Sequence, residues 1–70
     1  MREGSPEKWM WPELLGVPAT AAVMKIQQDR PDVAIEVLPP DAPLTPEVNL
    51  QRVRVFINLN GIVAYIPFTG

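Results

Sequence analysis

A proline-rich segment between two strand-like runs constrains this chain more than any other feature. Residues 39–46 read Pro-Pro-Asp-Ala-Pro-Leu-Thr-Pro, and the strand-like runs occupy residues 33–38 and 52–57 on either side. Proline fixes φ and lacks an amide donor, so this segment cannot belong to a central strand. We therefore predict a stiff, extended and exposed loop over residues 39–50. A connection of this length without regular structure is uncommon in a small domain and usually has a function.

Size and composition predict one small globular domain, residues 1–70. The 70 residues are 47% hydrophobic, which suits a modest core rather than a disordered tail. The net charge is −2, with six basic residues scattered among eight acidic ones. Nucleic acids and anionic membranes both require a basic surface, so we expect neither as a partner.

The compartment is left open by the sequence. No apolar run approaches the ~20 residues that a membrane-spanning helix needs. The first residues lack the apolar core of a secretion signal, and we expect residues 1–8 to form a loose terminus. Cytoplasmic, vacuolar and processed secreted locations all fit these observations.

The residue inventory argues against catalysis. The chain contains no histidine and no cysteine, and its only serine is Ser5. A nucleophile paired with a base cannot be assembled from these groups, and disulfides and thiolate zinc sites are excluded. Asp29, Asp32 and Asp41 are interpreted as surface carboxylates. We predict that the protein is not an enzyme and has no cofactor and no metal.

The hydrophobic pattern predicts one helix over residues 18–30. Apolar residues recur at spacings of three and four and give one face: Ala19, Ala22, Val23 and Ile26. Pro31 ends the helix, since the residue before a proline resists the α region. The start is weakly marked because no Ser, Thr, Asp or Asn stands at the expected cap. Upstream, we place both Trp11 and Trp9 in the core.

Three strands are predicted over residues 33–38, 51–59 and 62–66. The second alternates apolar and polar residues, and Asn60-Gly61 is a strong hairpin signal leading into the third. The first two strands can lie side by side and parallel, which explains the long loop between them. The fold class is α+β: one α-helix packed on a small mixed β-sheet, with a long exposed loop joining two parallel strands.

Several short motifs, in order, resemble the potato inhibitor I family of serine protease inhibitors. The similar segments are Trp-Pro-Glu-Leu-Leu-Gly at 11–16, Asp-Arg-Pro at 29–31, Val-Leu-Pro at 37–39, Arg-Val-Arg-Val-Phe at 52–56 and Pro-Phe-Thr-Gly at 67–70. The strongest single match is the run at 52–56. Together they cover nearly everything from residue 8 to residue 70.

The resemblance implies a disulfide-free inhibitor whose loop imitates a substrate of subtilisin- or chymotrypsin-like enzymes. It implies a reactive bond between Pro46 and Glu47. The other protease-contacting residues would be Pro43, Leu44, Thr45, Val48 and Asn49. Arg52 and Arg54 would support the loop by bonding the Glu47 carboxylate and the Thr45 hydroxyl. The expected partner is therefore a serine protease, bound by a monomer.

Three residues depart from the family pattern. Pro46 stands where the family usually has a protruding side chain with an amide donor, which implies either weaker inhibition or an enzyme that accepts proline. Asn49 replaces an arginine found in several members, and Pro18 replaces a helix-capping Ser or Thr. Two alternatives stay open: a non-inhibitory storage or interaction protein, and a module whose PxxP patterns at 40–43 and 43–46 bind an aromatic groove.

Overall fold

A computed structural model describes residues 8–70, and it has the predicted α+β architecture. A short 3₁₀ helix, Pro12–Leu14, precedes the α-helix α1, Ala19–Asp29. Three strands follow: β1, Ala34–Leu38; β2, Arg52–Phe56; and β3, Phe68–Thr69. The loose terminus predicted for residues 1–8 lies outside the described residues, except for Lys8. No helix within residues 8–70 is long and apolar enough to cross a bilayer.

The sheet is mixed, with strand order β1-β2-β3. β1 and β2 are parallel, as predicted, and their register sets Glu36 opposite Arg54. β2 and β3 are antiparallel, with Arg54 opposite Phe68. Because β1 and β2 run the same way, the chain must travel the length of the sheet between them. Residues 39–51 make this connection, which is why the loop is long.

The third strand was predicted in the wrong place. The chain returns beside β2 after the turn, but residues 62–66 form only isolated antiparallel bridges: Val63 pairs with Ile57, and Ile62 pairs with Pro18. The regular strand β3 lies further along, at Phe68–Thr69. Ile57 pairs with Val63, and Arg54 pairs with Phe68. Residues 54 and 57 are three positions apart, whereas residues 63 and 68 are five apart, so the returning segment contains two extra residues. Pro67, which has no amide to donate, lies in this bulged stretch.

The turn after β2 differs from a two-residue Asn-Gly hairpin. The Asn58 amide donates to the Ile62 carbonyl at 2.9 Å, so three residues form the loop. Only Gly61 among them has a positive φ, of 75°, as expected for the last residue of such a turn. The side chain of Asn58 accepts hydrogen bonds from the amides of Asn60 and Ile62, at 2.9 and 3.1 Å.

This turn also supplies the missing cap of α1. Pro18 occupies the N-cap position without a side-chain hydrogen bond. The amide of Ala19, in the first turn of the helix, donates instead to the Gly61 carbonyl at 2.9 Å. A helix leaves its first amides without internal partners, and here a tertiary contact satisfies one of them. The structure therefore explains why the sequence carries no capping residue at this point.

The core lies between α1 and the sheet. It consists of Trp11, Leu14, Ala22, Ile26, Val33, Val53, Val55 and Val63. Trp11 is fully buried, as predicted, whereas Trp9 is 57% exposed. The alternation predicted for the second strand is confirmed because Val53 and Val55 are buried and the two arginines lie on the other face.

Candidate functional site

The loop between β1 and β2 is almost entirely exposed. Every residue from 39 to 51 is exposed except Ala42, which is half-buried. The side chains of Leu44 and Val48 are 70% and 75% exposed. Apolar side chains with so large an exposed fraction contribute nothing to the core. They are suited to burial by a binding partner.

Backbone hydrogen bonds hold the two ends of the loop and leave its centre free. The Ala42 amide donates to the Pro39 carbonyl at one end, and the Arg52 amide donates to the Asn49 carbonyl at the other, both at 3.1 Å. Within the described residues, none of the backbone groups of residues 43–48 forms a hydrogen bond with another backbone group. Apart from the Glu47 carbonyl, their carbonyls and the amides of the residues other than proline are thus available to a partner strand.

Two arginines of β2 contact the centre of the loop. Nη2 of Arg54 donates to the Thr45 hydroxyl at 2.5 Å. Nη2 of Arg52 donates to the backbone carbonyl of Glu47 at 3.1 Å. The two side chains leave the same face of the strand because they are two residues apart. We call this pair of contacts the arginine brace; it reaches the loop on both sides of Pro46.

The brace differs from its prediction in one respect. We expected the Glu47 carboxylate to accept a hydrogen bond from an arginine, but the acceptor is the backbone carbonyl of that residue. The carboxylate side chain is exposed with the rest of the loop. A backbone acceptor fixes the position of the chain itself, independently of the side-chain rotamer at Glu47.

Each arginine also has a second partner that the sequence analysis missed. Nε of Arg54 lies 3.5 Å from Oε1 of Glu36, its neighbour in the parallel register. Nε of Arg52 donates to the Gly70 carbonyl at 3.2 Å, and the Gly70 amide donates back to the Arg52 carbonyl at 3.0 Å. The first contact is deducible once the register is known, whereas no sequence signal indicates the second. Both partners restrict the guanidinium groups.

A hollow of about 730 Å³ separates the loop from the sheet. Loop residues from Pro40 to Val48 form one wall, and the aromatic side chains of Phe56, Tyr65 and Phe68 lie on the other. Phe56 and Tyr65 pack edge to face, with ring centroids 5.8 Å apart. The loop therefore stands away from the body of the protein, and Arg54, which lines the hollow, reaches across it to Thr45.

The described residues contain no group of side chains suited to a metal ion. The predicted site residues do come together, however. Pro43 to Asn49 form one continuous exposed arch, and Arg52 and Arg54 contact it from below. Such an arch has the shape of an extended peptide held for presentation to a cleft.

Comparison with known proteins identifies the family. The model of the Potato inhibitor I family matches residues 3–70. The chain belongs to this family. Its relatives in the Potato inhibitor I family include a chymotrypsin inhibitor of Lumbricus terrestris, 41% identical over 66 residues that make up 94% of this chain and 77% of that protein. Subtilisin inhibitor 1 of Phaseolus angularis is 37% identical over 70 residues, which cover all of this chain and 76% of that protein.

The fold agrees with that of a solved member. The crystal structure of bitter gourd trypsin inhibitor superposes with a TM-score of 0.86 at 33% sequence identity, covering 90% of this chain and 93% of that one. These relatives are named as inhibitors rather than as enzymes.

Proposed function

We propose that this protein inhibits serine proteases by presenting residues 43–49 as a substrate-like loop, with Pro46–Glu47 as the reactive bond. The observation that carries the proposal is the arginine brace. It contacts Thr45 and Glu47, the two residues on either side of Pro46. A support placed there holds the peptide bond after Pro46 in position for a catalytic serine.

The brace gives a physical reason for tight binding. Ordering a flexible loop on association costs roughly 0.5–1.5 kcal/mol for each immobilised side chain. Prolines at 43 and 46 and the arginine contacts reduce this cost by restricting the loop before the enzyme arrives. After attack on the reactive bond, the same contacts keep the two new ends together, which favours religation over release.

Pro46 sets the strength and the target of the inhibition. Its ring fixes φ near −65° and directs Thr45 to an extended conformation, as substrate-like binding requires. It has no N–H to donate to the enzyme, however. An acceptor left without a partner costs about 1–3 kcal/mol, which is about tenfold to a hundredfold in affinity. The target is therefore an enzyme that accepts proline, or else inhibition of ordinary enzymes is weakened.

Inhibition constants of the wild type and Pro46→Leu test this proposal. Subtilisin, chymotrypsin, elastase and a proline-specific serine peptidase serve as targets. We expect micromolar or tighter inhibition of at least one of them by the wild type. Pro46→Leu should bind subtilisin or chymotrypsin about tenfold to a hundredfold more tightly, because it restores the amide donor and fills the pocket.

Pro40→Leu is the matched control, since it removes a loop proline outside residues 43–49 and should not reproduce that gain. If neither the wild type nor Pro46→Leu inhibits any of the four enzymes, inhibition through this loop is wrong. A non-inhibitory storage or PxxP-binding role would then return, although the names of the relatives do not favour it. The monomeric state stays a prediction, which size-exclusion chromatography with light scattering would check.

A further inference from the structure

The segment Pro43-Leu44-Thr45-Pro46 holds a feature that protease inhibition leaves unused. A threonine hydroxyl stands directly before one proline and two residues after another. We propose that Thr45 is a phosphorylation site for a proline-directed serine/threonine kinase, and that the phosphate weakens protease binding by the loop. The site itself does not depend on the proposed function, whereas its regulatory effect does.

The structure presents Thr45 as a kinase substrate must be presented. Kinases bind a short extended peptide with its hydroxyl exposed. Thr45 is exposed in a stretch, residues 43–48, that forms no hydrogen bond between backbone groups. Pro46 restricts Thr45 to the extended region. A proline-directed kinase selects a proline directly after the hydroxyl residue, because proline has no backbone N–H. The same property of Pro46 that weakens protease binding therefore favours recognition by the kinase.

No other hydroxyl of the described residues offers this combination on an aliphatic side chain. Thr20 lies within α1 and Thr69 is buried in β3, and neither precedes a proline. Ser5 precedes Pro6 but lies outside the described residues and has Glu rather than Pro two positions before it. Ser5 is therefore the internal competitor that an experiment must separate from Thr45.

The arginine brace would hold the phosphate once it is attached. Nη2 of Arg54 already donates to the Thr45 hydroxyl, and Arg52 reaches the next residue but one. A phosphate adds about −1.5 to −2 charges and three strong acceptor oxygens. Guanidinium forks bind phosphate bidentately and strongly. Since Glu36 is 3.5 Å from Arg54 and 48% exposed, the phosphate can replace it as the partner of Arg54.

The reaction is an ordinary phosphoryl transfer with ATP as donor. The Oγ1 atom of Thr45 attacks the γ-phosphorus, the bond from that phosphorus to the β,γ-bridging oxygen breaks, and ADP leaves. The hydroxyl proton passes to the catalytic aspartate of the kinase. The inhibitor contributes only the exposed hydroxyl and its extended surroundings.

The phosphate would oppose protease binding for an electrostatic reason. Thr45 directly precedes the proposed reactive bond, so its side chain enters the enzyme's cleft with Pro46. Burying a dianion there without a designed partner is expensive, because its hydration is lost. The loop would then be stiff but excluded from the active site.

Kinase treatment of the intact chain tests the site. A purified proline-directed kinase of the mitogen-activated class is used with Mg-ATP, after its activity has been verified on a standard substrate, and phosphate is located by peptide mass spectrometry. We expect phosphate on Thr45 of the wild type and of the control Thr20→Val. It should be absent from Thr45→Val and from Pro46→Ala, which keeps the hydroxyl. Phosphate on Ser5 alone, or no phosphate, would overturn the site.

Two further measurements test the consequences. In ³¹P NMR titrations, the second pKa of phosphothreonine should be lower in the folded protein than in a phosphopeptide of residues 39–50, and Arg54→Met should raise it. Equal values would show that the brace does not bind the phosphate. Against any protease that the wild type inhibits, the phosphorylated form should bind at least about tenfold more weakly.

These outcomes separate the two proposals. Undiminished inhibition by the phosphorylated form would refute the switch while protease inhibition stands. Conversely, if no form inhibits any protease, the proposed function fails and the regulatory effect fails with it, whereas the phosphorylation site is still decided by mass spectrometry.

Discussion

The indole Nε1 of Trp11 donates a hydrogen bond of 2.9 Å to Oδ2 of Asp29, a residue 18 positions further along the chain. Trp11 is fully buried, and Asp29 is the last residue of α1. Nζ of Lys8 and Nζ of Lys25 approach the same carboxylate at 3.1 and 3.2 Å. The end of the helix is thereby attached to the segment that precedes it.

These contacts stabilise the charged form of the Asp29 carboxylate. Partial burial alone would raise the pKa of Asp29, but hydrogen bonds from Trp11, Lys8 and Lys25 together leave it below its usual value. Arg30 adds a second attachment, since its Nη1 donates to the Lys8 carbonyl at 2.9 Å. Lys8 therefore contacts Glu13 and Asp29 through its side chain and Arg30 through its carbonyl.

Replacing Trp11 by Phe should destabilise the fold. The change removes the indole N–H from a partly buried carboxylate and leaves a small cavity, so we expect a loss of about 1–3 kcal/mol in the free energy of unfolding. Trp9→Phe is the matched control, and its effect should stay within about 0.5 kcal/mol because the side chain is largely exposed. Urea denaturation followed by circular dichroism measures both; equal losses would contradict the contact's importance.

Acid should destabilise the protein in a defined pH window. Two hydrogen bonds from Arg30 lower the pKa of Asp32 from its usual 3.8 to about 2. A depressed pKa means that the folded state binds the proton less readily than the unfolded state, so the stabilisation is present above pH 3.8 and disappears as the pH falls towards 2.

Denaturation at several pH values should show the free energy of unfolding decreasing with falling pH across this window. Asp32→Asn should make the decrease shallower, because the variant has no carboxylate to protonate. An identical slope in the variant would mean that the Arg30–Asp32 pair does not contribute to the acid sensitivity.

Removing the guanidinium of Arg54 should loosen the loop without unfolding the protein. In Arg54→Met the Thr45 hydroxyl loses its donor, and inhibition of a susceptible protease should weaken by about tenfold, the equivalent of one hydrogen bond to a charged group. Subtilisin should also cut the variant faster within residues 40–50. Lys25→Met removes one positive charge from α1 instead and should leave the rate of loop cleavage unchanged; similar rates in all three proteins would refute the role of the brace.

The turn after β2 should depend on the side chain of Asn58. Asn58→Ala removes the oxygen that accepts from the amides of Asn60 and Ile62, and we expect a loss of about 1 kcal/mol in the free energy of unfolding. Asn58→Asp retains an acceptor of the same shape and should lose less. Thermal unfolding of the two variants provides the comparison, and an equal loss would show that the acceptor is unimportant.

Much of the fold was readable from local patterns. The helix was placed within one residue at each end, because its apolar spacing and Pro31 are local signals. β2 was recognised by its alternation, and the loop by its prolines. The position of β3 was missed, since its pairing depends on a bulge and on Pro67, whose effects appear only when the chain is packed against β2.

The candidate site divides in the same way. Residue types and their order predicted the loop, its stiffness and the two arginines on one face of β2. They did not predict which oxygen at Glu47 accepts the hydrogen bond, or that Glu36 and Gly70 also contact the arginines. Those contacts depend on how far the loop stands from the sheet, and no local pattern encodes that distance.

Local sequence patterns placed α1, β1, β2 and the exposed proline-rich arch, because periodicity, proline geometry and residue spacing act over a few neighbouring residues. The resemblance of several ordered motifs indicated the family. Packing of the whole chain was needed to show that the Gly61 carbonyl caps α1, where β3 pairs, and which loop atoms contact Arg52 and Arg54. Each of these joins groups far apart in the chain, so its geometry is set by the packing of the whole domain rather than by local preference.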